Sequence, residues 1–165
     1  MTAPEMSQPL ADLVFFALDH GINSIRDGGP LIPFLVYEEA DKRALHRFAA
    51  QTLEESLARA KAATASLSGG VTASAIAYDG FVTIENRKFE AVIVEGAEQR
   101  KPRGVHLAQR YVPKRFLRRL RTVGNPTFLG ECDSICKAVV ITKHAARNEK
   151  AMRPRYALGS ALPVR

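Results

Sequence analysis

The chain has 165 residues, 46% of them apolar and 25% charged, proportions that let it bury a core of its own and that exclude a disordered or collagen-like polymer. Two cysteines, Cys132 and Cys136, are too few for a disulfide scaffold and predict a reducing, cytoplasmic setting. The net charge of +7 conceals a division: residues 1–99 hold 8 basic and 14 acidic residues, a net of −6, whereas residues 100–165 hold 16 and 3, a net of +13.

The start of the chain lacks the cationic segment of a secretory signal, and Asp12 and Asp19 flank or interrupt its apolar stretch, so export is not expected. From Ser7, an N-cap residue followed by Pro9 in the first turn, apolar residues recur at Leu10, Leu13, Val14, Ala17, Leu18, Ile22 and Ile25. That spacing predicts a helix over 8–26, ended by Gly28, Gly29 and Pro30. The apolar run 31–37 reads as a short strand, which Pro33, lacking an amide donor, places at a sheet edge. No run in the chain reaches the length needed to span a bilayer.

Asp41 reads as the cap of a second helix, 41–67, whose apolar face takes in Leu45, Phe48, Leu53 and Leu57. Its other face carries Arg43, Arg47, Glu54, Glu55, Arg59 and Lys61, with Glu55 and Arg59 spaced for an i to i+4 pair. Beyond Gly69 and Gly70 the period shifts towards two, and an antiparallel meander is expected over 73–78, 80–85, 89–95 and 105–112. Asp79-Gly80 reads as a tight turn or as a glycine bulge within one longer strand. The run Val92, Ile93, Val94 predicts a central strand covered on both faces, with the first or last strand of the meander at the edges. After Pro113 come an amphipathic stretch at 114–121, a loop at 124–126 and a strand at 138–142. The whole is an α+β domain over 1–142, a meander packed against two amphipathic helices. A basic, extended tail over 143–165 follows.

The basic stretch is the most informative feature. Arg100, Lys101, Arg103, Arg110, Lys114, Arg115, Arg118, Arg119 and Arg121 stand with no acid between Glu98 and Glu131. Guanidinium groups suit bidentate contacts to phosphate or carboxylate, and Tyr111 and Phe116 could stack on bases. A membrane surface touched through Phe116, Leu117 and Leu120 is the lesser alternative, because the segment is short for it. A solvated surface, or one matched to the acidic part, is the plainer interpretation.

Other constellations are weaker. Cys132 and Cys136 would share a helix face, where His106 or His144 could complete a zinc site, but paired zinc ligands usually stand closer and two buried thiols are expected instead. Asp19-His20 could relay a proton near a helix end, and Glu38, Glu39 and Asp41 could hold a cation, although carboxylates at a helix start need no ion. The sequence over 41–100, with Asp79 in the meander and Glu95 at the end of a central strand, resembles the restriction-endonuclease-like nucleases. That resemblance implies acids holding Mg²⁺ and an assisting lysine, which two positions after Glu95 is Ala97 here.

Three functions follow in order. The first is a non-enzymatic binding module whose basic third engages nucleic acid or an acidic protein surface. The second is a self-assembling homo-oligomer with acid-to-base contacts between subunits. The third is a metal-dependent hydrolase using Asp79 and Glu95. No catalytic residue, metal ligand or cofactor is assigned from a phosphate-loop, nucleotide or nucleophile motif.

Overall fold

The computed structural model describes residues 6–114 and 119–135. Helix α1, Gln8–Ile25, starts where Ser7 Oγ accepts from the Leu10 amide, with Pro9 in its first turn. Its buried stripe is Leu10, Leu13, Val14, Ala17, Leu18 and Ile25. The strands are β1 (Phe34–Glu39), β2 (Lys42–Arg47), β3 (Val71–Ile84), β4 (Arg87–Glu98), β5 (Arg103–Val112), β6 (Arg121–Thr122) and β7 (Thr127–Asp133), with helix α2 at Leu53–Thr64. They form an antiparallel sheet in the order β2-β1-β3-β4-β5, and β6 and β7 both pair with the outer side of β5. The fold is therefore α+β, as expected.

The expected helix over 41–67 is corrected. Lys42–Arg47 near its start form β2, which pairs with β1 from Phe34 opposite Arg47 to Glu39 opposite Lys42. Ala40 and Asp41 have φ of 47° and 61°, the two-residue turn whose twist matches a hairpin, so Asp41 serves the turn and caps no helix. Of the charges read as a solvated helix face, Arg43 and Arg47 instead protect a sheet edge, exposed with Lys42 along β2, whereas Glu55 and Arg59 pair on α2 as expected. Helix α2 begins a turn and a half later, where Thr52 Oγ1 accepts from the Glu55 amide at 3.1 Å. Pairing on both sides of β1 makes it an inner strand, so Pro33 does not mark an edge; it precedes the strand and loses no ladder bond.

Asp79-Gly80 is likewise no turn. The β3–β4 register runs unbroken from Ala73 opposite Glu98 to Ile84 opposite Arg87, and the hairpin turns at Glu85 and Asn86, whose φ values are 48° and 60°. β4 is central, as the Val92–Val94 run indicates, but the meander's outer strands are not the ends of the sheet, because β1 pairs with β3 as far as Ala77 and β6 and β7 pair with β5. The expected strand at 138–142 and the tail from 143 lie outside the described residues.

The two helices pack on opposite faces of the sheet. α1 lies on Phe34, Val36, Ala73, Ala75, Ala77, Val92, Val94, Val105 and Leu107, whereas Ala60 of α2 meets Leu35 and Ile76, which alternate with the first set and face the other way. Leu57, Ala63 and Leu67 extend that second contact, but Leu53, at the start of α2, is 39% exposed. Replacing Leu53 with alanine is accordingly expected to cost less than about 1 kcal/mol, below the roughly 2–5 kcal/mol of a buried leucine. A urea titration would read this directly. No helix among the described residues is long and apolar enough to cross a membrane.

Candidate functional site

The fold divides the basic stretch. Arg100, Lys101 and Arg103 stand at the turn into β5, whereas Arg110, Lys114, Arg119 and Arg121 stand at its far end, about 30 Å away at the rise of a β-strand. Arg115, Arg118 and Phe116 lie outside the described residues. At the first end two of the three charges are matched: Lys101 pairs with Glu98 and Arg103 with Glu131, the latter at 2.8 Å. Tyr111 does not offer a ring for stacking. It is 8% exposed within the α1 core, and its hydroxyl donates to Asp79 at 2.8 Å.

The far end carries a different aromatic group, one that the sequence reading missed. Strand alternation and register put Arg87, Phe89, Arg110 and Arg121 on the sheet face that bears α2, at the end α2 does not reach, since that helix lies over β1 and β3. The Arg110 guanidinium sits 5.3 Å from the centre of the Phe89 ring, while Arg87 and Arg121 are exposed to either side. Val82 and Ile84 continue the apolar floor. Buried Gln109 fastens the strand end, its Nε2 donating to the carbonyls of Val123 and Gly124. Lys114 donates to the Asp27 carbonyl at 2.9 Å, tying the chain after β5 to the turn after α1. Only the alternation of residues 82, 84, 87 and 89 in sequence hinted at this surface.

A second constellation occupies the cleft beside α2. Glu95 Oε1 accepts from Lys61 Nζ at 2.9 Å and from the Tyr78 hydroxyl at 2.6 Å. The Glu95 register partner on β5 is His106, and Cys132 lines the same cleft of about 510 Å³. Burial lowers the pKa of His106 against the pull of Glu95, and its Nε2 has no hydrogen-bond partner among the described residues. Burial and the Glu95 charge raise the Cys132 thiol, which therefore stays protonated and poorly nucleophilic. Burial together with the Glu95 bond raises the Tyr78 phenol in the same way. The carboxylate is engaged by fixed partners that join helix to sheet, an arrangement suited to holding α2 in place.

The nuclease-like reading of Asp79 and Glu95 fails on this geometry. Asp79 shares a face with Ala77 and Tyr111 under α1, and Glu95 shares the opposite face with Tyr78 and Ile76, so one ion cannot touch both. Nor do Glu38, Glu39 and Asp41 converge: Glu38 pairs with Arg43, Glu39 accepts from Ser68, and Asp41 is in the hairpin turn. Cys132 lies in strand β7, and Cys136 and His144 lie outside the described residues. No group of three or more His, Cys, Asp or Glu side chains among the described residues is placed to hold a metal ion. His20 stands within α1 and not at its end, stacked on Phe16 and edge-on to Phe34, with burial and the Arg47 charge lowering its pKa. Comparison with protein-family models, curated proteins and solved structures finds no match to this chain.

Proposed function

We propose that the protein is a binding module for a single-stranded nucleic acid, engaged at the end of the sheet where Arg87, Arg110 and Arg121 surround Phe89. The observation that supports this reading is the shared face of three guanidinium groups and one partly exposed ring, with Arg119 close by in sequence. Cations track a phosphate backbone, and a ring or a ring-stacked guanidinium gives a base something flat to lie on. Little sequence preference would follow, because every base has a stacking face.

Binding of a labelled 20-nucleotide single strand, read by fluorescence anisotropy over a salt series, tests the reading. The expected affinity falls steeply with salt, by roughly 0.7 log units per phosphate contact for each tenfold rise. Arg87→Gln, Arg119→Gln and Arg121→Gln together should reduce that slope by about 2 on the same rule. They should leave the unfolding curve in place, because exposed charges contribute little to stability. An unchanged slope in the triple variant would refute the site. Absence of nucleic-acid binding, with the same variant losing an acidic protein partner, would transfer the surface to that partner.

A further inference from the structure

The sheet is unfinished along one side of β3. β1 accompanies it only as far as Phe34 opposite Ala77, so the seven residues Tyr78–Ile84 have no strand beside them on that side among the described residues. No loop among the described residues supplies main-chain bonds to them either. The devices that usually blunt such an edge are absent: residues 78–84 contain no lysine, no proline and no register shift, and their one charge is Asp79. β2, at the true edge of the sheet, has those devices in Lys42, Arg43 and Arg47.

A groove of about 410 Å³ follows this bare edge, along the line that β1 would take if it were longer. Pro33 and Leu31 close one end, Leu53 and Leu57 of α2 form a wall, and Phe81 stands at the other end, 57% exposed. Its polar lining is acidic. Glu54, Asp79 and Glu90 all border it, and Glu90 Oε2 is buried without a hydrogen-bond partner among the described residues. Burial raises the pKa of Asp79 despite the Tyr111 bond, so this carboxylate too would gain from a nearby cation.

We propose that this groove takes an extended peptide strand from a partner protein, apolar at its centre and flanked by lysine or arginine, which adds to the free edge of β3. Unpaired main-chain groups call for an extended backbone, the apolar walls for alternate side chains, and the three acids for cationic flanks. A second copy joined edge to edge is the wrong occupant, because it would bring Asp79, Glu54 and Glu90 of both copies together. This surface is separate from the arginine face and does not depend on it.

The test is hydrogen exchange on the full chain with and without the synthetic peptide Lys-Val-Thr-Val-Thr-Val-Lys. The expected result is exchange at least tenfold slower at alternate amides within 78–84, with 73–77 unchanged. The same peptide N-methylated on alternate amides should give no protection, and a version with glutamate flanks should bind at least tenfold more weakly. Phe81→Ser, at an exposed position, should weaken the peptide without altering the unfolding curve. Two results would overturn the proposal: no protection at millimolar peptide, or amides of 78–84 already as slow as those of 73–77 in the free protein, which would mean that the chain or a second copy covers the edge.

Discussion

Replacing Phe34 with alanine is expected to destabilise the protein by about 4 kcal/mol, within the range for a large aromatic truncated in a core. Phe34 is fully buried at the start of β1, on the face beneath α1, and its ring meets the His20 ring edge-on with centres 5.0 Å apart. It lies where α1, β1 and β3 converge, since its register partner on β3 is Ala77, also fully buried. Neighbouring alanines cannot swell to fill the space, so the cavity should persist. Guanidinium titration should show a lower midpoint with an unchanged slope. Phe34→Leu should recover most of the loss, because it restores volume. A cost below about 1 kcal/mol would mean that α1 does not rest on this ring.

Gly104→Ala should be nearly as damaging, at about 3 kcal/mol, though nothing is removed. A Cβ at this position would stand 2.5 Å from the carbonyl oxygen of Gly96, 3.2 Å from Ala97 Cβ and 3.3 Å from Cys132 Sγ. The first of these is backbone in the central strand, held by pairing on both sides, so it cannot step aside as a side-chain tip could. Gly70→Ala is the control, since its Cβ would meet only the end of the Glu39 side chain at 3.0 Å. Its φ lies outside the left-handed region, so it should change stability by less than about 1 kcal/mol. Thermal unfolding of the two variants side by side should separate them by several degrees.

Much of the fold was legible because its signals are local. Ser7, Pro9 and the 3.6-residue stripe define α1, and the β-branched runs locate β3, β4 and β5 to within a few residues. The β1–β2 hairpin was not legible, because Leu45 and Phe48 fit a helical period while their fate was decided by pairing with a strand ten residues away. The true start of α2 did carry a mark, Thr52 followed three residues later by Glu55, which is the capping-box pattern. The candidate site fared worse. Clustering of cations in sequence says nothing about the 30 Å that an extended strand puts between its ends. Tyr111 looked available for stacking because burial depends on α1 from the far end of the chain. Phe89 gave no signal of its own, because its exposure depends on where α2 stops. Asp79 and Glu95 were paired on separation alone, and only the register shows that the sheet lies between them.

The seat of α1 has a consequence for the order in which the protein can be made. The helix is complete at Ile25, yet its apolar stripe is covered by β3, by β4 and finally by Val105, Leu107 and Tyr111 of β5. At about 5–20 residues per second, a ribosome would expose that stripe for on the order of ten seconds before Tyr111 emerges. The point at which the chain changes sign of charge, at residue 100, falls inside this interval, in the turn between β4 and β5. A nascent chain stopped there would hold the acidic part with its helix incompletely covered and one side of β4 bare, so the acidic and basic parts are not separable modules. They reach the native state together, late in synthesis, and the waiting helix is the natural client for a chaperone.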